Sequence, residues 1–344
     1  MLRTKLELED IKYVAESNCD WNKLKNKTLL ISGGTGFVGS YLCDVIRYRN
    51  EIFNDNIKII SLTRRGGESD STVKYLKCDI NEKLKIDESI DYILHLASNT
   101  HPKQYAEDPV GTITTNILGC INLLNLGIDK NINRFLLASS VEIYGECIDK
   151  AIDESYSGYI DCNRARSGYN ESKRLCESLC QSYKVQYGLD FVTARLSRLI
   201  GPDRKQDTKA MSQFMDKAMN NEDIVLKSKG NQLYSYCYVT DAVSAILKIL
   251  TDGVNGEAYN IAADVNNMTL GDYAIYISSF VNKNVIFDIE NNDSASKATY
   301  ALLDNSKIKT IGWKPKYSVK NGLKRTYEVY TDRKNKLFNG INKG

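Results

Sequence analysis

The chain has 344 residues, 42 % of them apolar, and 46 Lys and Arg against 43 Asp and Glu give a net charge of +3. That length suits one large domain or two intimately joined ones, and a near-neutral balance with dispersed basic residues gives no electrostatic footprint for nucleic acid. No apolar run is expected to approach the ~20 residues of a membrane span, and the acidic-apolar N-terminus lacks signal-peptide or transit-peptide character, so a cytoplasmic globular protein is expected.

Residues 1–27 read as an N-terminal extension: Leu6, Leu8, Ile11 and Val14 stand at partly helical spacing before Trp21. Packing against the body is expected of it, with an oligomer contact as the alternative. Thr28–Ile31 reads as a buried strand that opens into Ser32-Gly33-Gly34-Thr35-Gly36-Phe37-Val38-Gly39. A helix follows over Ser40–Tyr48, with Tyr41, Leu42, Val45 and Ile46 on its apolar face. Further strands are predicted at Ile57–Leu62, Val73–Leu76, Tyr92–Leu96, Phe135–Ala138 and Phe191–Arg195. Helices are predicted at Val110–Leu126 and Ser172–Tyr187.

This alternation predicts right-handed βαβ crossovers and a Rossmann-type, doubly wound parallel α/β sheet over 28–195, with ligands at the carboxyl ends of the strands. Beyond Gly201-Pro202 the elements shorten. Residues 196–335 therefore read mainly as a smaller C-terminal substrate-binding lobe, interleaved with the first domain.

The glycine run predicts a strand-to-helix turn that lets backbone approach a dinucleotide pyrophosphate, with amides of the next helix facing the phosphates. GxxGxxG also occurs in tight turns that bind nothing. Tyr169 and Lys173 fall one turn apart if the helix reaches back to Tyr169. A phenol with a pKa near 10 is a poor base at neutral pH, and a neighbouring ammonium favours the phenolate, so Tyr169 is the candidate acid/base. Alone, this spacing would equally describe a surface pair. Ser139 and Ser140, at the ligand edge of a buried strand, strengthen the catalytic reading. So do Cys78-Asp79 after the third strand and the small residues Ala97 and Ser98 after the fourth.

Nine cysteines without a CxxC pair point to reduced thiols, and Cys176 and Cys180 read as core residues on one helix face. With only His95 and His101, no metal site is expected.

With these motifs in place, the chain resembles the extended short-chain dehydrogenase/reductases of the NAD-dependent epimerase/dehydratase family, from Thr28 to about Tyr330. The resemblance implies that Ser140 polarises the substrate oxygen, Tyr169 shuttles the proton and Lys173 contacts the ribose. It implies further cofactor contacts from Gly33, Thr35, Gly36, Phe37, Val38 and Gly39, from Asp79 and Ile80, from Leu96, Ala97 and Ser98, and from Asn116, for which helix bracing is the favoured role. Ser98, Ser140, Arg166, Arg198, Arg204 and Tyr234 are the implied substrate contacts. Most members modify nucleotide sugars by oxidising C4 with a tightly held dinucleotide and returning the hydride, and many are homodimers built on the helices matching Val110–Leu126 and Ser172–Tyr187.

The segment from His95 to Lys103, Asp108-Pro109, Thr114–Gly119 and Arg166–Arg174 are similar to UDP-glucuronate decarboxylases. Glu142, two residues after Ser140, fits decarboxylases and 4,6-dehydratases as a group acting near C5. Three departures stand out. Val141 replaces the dehydratases' acidic residue, Tyr234 replaces a diphosphate-binding Arg, and Thr63 with Arg64 and Arg65 replaces the ribose-binding carboxylate. The last suits a 2′-phosphate, so NAD and NADP both stay open. The expected activity is that of an epimerase or decarboxylase-like enzyme. A 4,6-dehydratase, an NADPH-dependent keto-sugar reductase and a non-catalytic dinucleotide-binding regulator are the alternatives.

Overall fold

The computed structural model describes residues 3–98, 107–203, 209–264, 268–289 and 299–341, with the side chains of the last helix described as far as 336. The strands in chain order are β1 (Thr28–Ser32), β2 (Lys58–Thr63), β3 (Val73–Lys77), β4 (Tyr92–His95), β5 (Arg134–Ser140), β6 (Phe191–Leu196), β7 (Arg198–Ile200), β8 (Ile224–Leu226), β9 (Leu233–Tyr234), β10 (Tyr236–Tyr238), β11 (Ala258–Ile261), β12 (Val285–Phe287) and β13 (Tyr300–Ala301). The described helices are α1 (Lys5–Ala15), α2 (Phe37–Phe53), α3 (Pro109–Lys130), α4 (Ser167–Tyr187), α5 (Ala210–Met219), α6 (Val239–Asp252), α7 (Leu270–Ser278), α8 (Ser306–Thr310) and α9 (Val319–Ile341).

Seven parallel strands form the main sheet in the order β11-β6-β5-β4-β1-β2-β3. The central strands are apolar on successive residues, as in Leu29-Leu30-Ile31 and Phe135-Leu136-Leu137, because helices cover both faces of the sheet. The chain order reverses between β1 and β4. That is the switch point at which ligands sit in doubly wound sheets. The lobe adds three two-stranded parallel pairs, β7 with β10, β8 with β12 and β9 with β13.

Three features differ from the sequence reading, each for a physical reason. The helix carrying Tyr169 starts at Ser167, five residues earlier than the apolar pattern suggests, since its first turn packs through polar residues. β11 and α6 join the main sheet from beyond residue 195. Every residue of α6 from Val239 to Thr251 is buried, its polar face included, because Asp241 and Ser244 meet residues 313–317 and Lys248 meets Asn18, so distant segments cover the face that sequence would leave to solvent. Finally, α3 is long and apolar enough to cross a bilayer by length and composition, although Thr and Asn interrupt its apolar runs. Its buried face, including Cys120, Leu123 and Leu124, covers the sheet.

The N-terminal extension is helical and held from its first turn. Thr4 and Glu7 form a reciprocal capping box, and Ile11 and Val14 enter the same core as Leu42, Val45 and Ile246.

Candidate active site

A cavity of about 560 Å³ opens at the carboxyl ends of β1, β4, β5 and β6, between the sheet and the lobe. Ser140 is the last residue of β5 and caps a short 3-10 turn by accepting the Glu142 amide at 3.2 Å. Tyr169 and Lys173 lie one turn apart on α4, are 5 % and 2 % exposed, and line the same cavity as Ser140. The Lys173 ammonium donates to the Ala138 carbonyl of β5 at 2.9 Å, which ties the helix to the strand that carries Ser140.

A chain of hydrogen bonds fixes that helix from behind. Ser98 Oγ donates to Asn116 Oδ1 at 2.7 Å, Asn116 Nδ2 donates to Ser172 Oγ at 2.9 Å, and Ser172 Oγ donates to the Tyr169 carbonyl at 2.8 Å. Asn116 is fully buried, so it braces α4 against α3 and does not reach the cavity as a cofactor contact. His95 is buried beneath this network, 2.8 Å from Ser32 Oγ. Burial and the Lys173 ammonium push its pKa down to about 3, which keeps it neutral.

The glycine turn has the features a pyrophosphate needs. Gly33 adopts φ +83°, and a Cβ there would meet the Ala97 amide nitrogen at 2.9 Å, so the close strand-loop contact excludes a side chain. Gly36 caps α2 without a side-chain acceptor, so the first-turn amides have no capping side chain among the described residues, beside the cavity wall of Gly33, Gly36, Phe37 and Val38. The residues present therefore fit a dinucleotide, with a glycine loop suited to phosphates and Tyr169 and Lys173 lining the same cavity.

Glu142 is held by three groups. Arg166 Nη2 lies 3.2 Å and Asn170 Nδ2 3.3 Å from Oε2, and Arg198 Nη2 lies 3.6 Å from Oε1. The Arg198 guanidinium stacks 3.7 Å over the Tyr234 ring. A cation is thus present at Tyr234 after all, supplied by β7 instead of by residue 234. Its Nη1, together with Ser139 Oγ, Ser197 Oγ and Gln232 Oε1, is a buried polar atom at the cavity with no partner among the described residues.

The cavity gathers Gly33, Gly36, Phe37, Val38, Gly39, Leu96 and Ser98 from the sheet side. Ser140, Glu142, Arg166, Tyr169, Lys173, Arg198 and Tyr234 complete it. Thr35, Thr63, Arg64, Arg65, Asp79, Ile80, Ala97 and Asn116 do not line it. Thr35 is exposed, Ile80 is buried beneath Gly119, and Asp79 accepts the Asn81 amide at 2.9 Å in a local turn. Thr63 Oγ1 accepts the Arg65 amide at 3.3 Å, while Arg64 and Arg65 are exposed and have no ion pair among the described residues. Arg204 lies outside the described residues. Ser197, Gln232 and Tyr236 are cavity residues that the sequence reading missed. Ser197 could have been found from its place two residues after the sixth predicted strand, whereas Gln232 and Tyr236 arrive through lobe pairings with no local signal.

The sequence model of the NAD dependent epimerase/dehydratase family matches residues 29–262. UDP-glucuronic acid decarboxylase 5 of Arabidopsis thaliana is 30 % identical over 311 residues, covering 87 % of each chain. UDP-glucuronic acid decarboxylase 1 of Danio rerio is 29 % identical over 89 % of this chain and 73 % of its own length. Among solved structures, a UDP-glucose 4-epimerase from Thermotoga maritima superposes with a TM-score of 0.76 at 20 % identity, over 89 % of this chain and 99 % of its own. DesIV, a dTDP-glucose 4,6-dehydratase from Streptomyces venezuelae solved with NAD bound, superposes with a TM-score of 0.75 at 22 % identity over 89 % and 97 %.

Proposed function

The chain belongs to the NAD-dependent epimerase/dehydratase family, and from that premise we propose that it is an enzyme that oxidises the sugar of a nucleotide sugar at C4 and returns the hydride in a decarboxylase-like or epimerase-like cycle. The observation that carries this reading is the convergence of Ser140, Tyr169 and Lys173 on one cavity wall opposite an uncapped glycine turn. The chemistry that NAD supplies when bound is reversible hydride acceptance.

Tyr169 is the group that accepts the C4 hydroxyl proton as the ketone forms and gives it back on reduction. Ser140 holds the same sugar oxygen, and Lys173, fixed to the Ala138 carbonyl, keeps a cation beside the phenol. Arg198 and Ser197 offer donors to the anionic nucleotide portion, while Gln232 Oε1 can only accept, as from a base or sugar donor. A 4-keto sugar bearing a carboxylate at C5 loses carbon dioxide readily, and in this reading Glu142, released from one arginine, orders water or the proton at C5.

The 4,6-dehydratase alternative is disfavoured by Val141, which is 5 % exposed and apolar where an acid would protonate the leaving hydroxyl. The reductase alternative rests on Arg64 and Arg65, whose free guanidiniums suit a 2′-phosphate, so NADP is tested beside NAD. Exposed Leu118 and Leu175 on α3 and α4 support a homodimer through these helices, and a cytoplasmic location accords with the reduced cysteines.

The test is incubation of the full chain with UDP-glucuronate or UDP-glucose, with NAD or NADP, and product identification by mass spectrometry. Tyr169→Phe should keep dinucleotide binding and lose about 10²- to 10⁴-fold in turnover. Unchanged turnover in that variant would remove the proton-shuttle assignment.

A further inference from the structure

Glu7 stands in α1, outside the residues that match the family, and behind the cavity wall. Its carboxylate is fully buried. It accepts from Arg3 Nη1 at 2.6 Å, from Arg333 Nη2 at 2.7 Å and from the Tyr41 hydroxyl at 3.4 Å. Burial opposes its ionisation, yet Arg333, the Thr4 amide and Arg3 hold its pKa down to about 2.

Arg333 and Tyr41 both reach one short segment. Arg333 Nη1 donates to the Asp203 carbonyl at 2.9 Å and Arg333 Nη2 to the Pro202 carbonyl at 3.3 Å, and the Tyr41 hydroxyl, whose one proton is shared between Glu7 and this segment, lies 3.3 Å from the same Pro202 carbonyl. On the other side the Asp203 amide donates to the Tyr330 hydroxyl at 3.1 Å. Gly201 and Asp203 line the cavity. Gly201 is at φ +146°, where a Cβ would meet the Phe37 ring at 3.1 Å and Val239 Cγ1 at 2.6 Å. The segment is therefore wedged between the first residue of the glycine-turn helix and the lobe.

We infer that Glu7 is a positioning residue for ligand binding: through Arg333 and Tyr41, the N-terminal helix holds the Gly201–Asp203 wall in the position that closes the cavity on its ligand. Ile11 and Val14 already anchor α1 to the core, so the contacts of Glu7 are not needed for adhesion. They lead instead, through Arg333 and Tyr41, to backbone carbonyls of the wall, whose position then depends on a helix with no residue in the cavity lining. The inference rests on this cavity being the ligand site and on no particular reaction.

The test uses the full chain with Tyr41→Phe and Glu7→Gln, the first variant removing only a hydroxyl. Hydrogen exchange is followed in peptides spanning 196–209, and UDP and NAD are titrated separately by calorimetry. Exchange of the Gly201 and Asp203 amides should rise about tenfold in both variants, with β5 and α4 peptides unchanged in Tyr41→Phe, and the dissociation constant of at least one probe should rise about five- to tenfold, the size expected for one neutral hydrogen bond. Unchanged exchange at 201–203 would overturn the inference. So would faster exchange spread over the whole chain in Tyr41→Phe, or faster exchange at 201–203 with unaltered affinity for both probes, which would reduce α1 to a brace. A wild-type chain that binds neither probe removes the cavity as a ligand site and this inference with it, whereas normal wild-type binding with unaltered variants removes the inference alone.

Discussion

Glu142 and Glu7 each bridge two guanidiniums, one inside the cavity and the other behind its wall. The side chain of Glu142 is 24 % exposed and its partner Arg166 is 51 % exposed, while Glu7 is wholly buried with partners 8 % and 13 % exposed. Water screens the first arrangement, so its partners can exchange with an incoming anion at little cost. The second has no solvent to replace a lost partner, so breaking it leaves uncompensated charge. The same ionic grouping is thus exchangeable at the cavity and fixed at the rear, which suits chemistry in front and positioning behind.

The largest effect should come from Glu142→Gln, which keeps shape and removes the charge near the sugar. Turnover should fall by about a thousandfold, or about 4 kcal/mol, with the urea midpoint unchanged; full turnover would demote Glu142 to an ion-pair partner. Glu7→Gln should do the reverse, lowering stability at pH 7 by about 3 kcal/mol in urea unfolding while leaving kcat within about twofold. The sign of its pH dependence follows from the lowered pKa. An acid held at about 2 in the fold against an ordinary 4.5 contributes stability that is fully present above about pH 4.5 and is lost as the pH falls toward 2. Wild-type and Glu7→Gln stabilities should therefore converge in acid, and parallel curves would rule out Glu7 as the source. The smallest effect, about 2 kcal/mol, is expected from Arg198→Met on UDP binding by calorimetry, since it removes one charged contact and leaves an apolar side chain to pack on Tyr234. Equal UDP affinity in that variant would return the anion contact to another residue.

The half of the molecule around β1 to β6 was legible because its signals are local. Buried parallel strands read as apolar runs, the glycine turn is contiguous, and Tyr169 and Lys173 are one helical turn apart whatever surrounds them. The lobe side was not. The stacking of Arg198 on Tyr234 joins β7 to β9 across a span of sequence in which neither residue signals the other. The role of Asn116 turned on burial, and α6 hid its place because distant segments cover its polar face.

The sequence by itself determined the doubly wound sheet, the dinucleotide turn and the Ser140, Tyr169 and Lys173 constellation, since periodicity and short spacing carry those. Only the tertiary structure decided which arginine faces Tyr234, which carboxylate is locked and which is exchangeable, and that residues 5–15 support the cavity wall. Those outcomes depend on burial and on contacts between residues as much as 326 positions apart, as in the Glu7 and Arg333 pair, and a linear pattern contains neither.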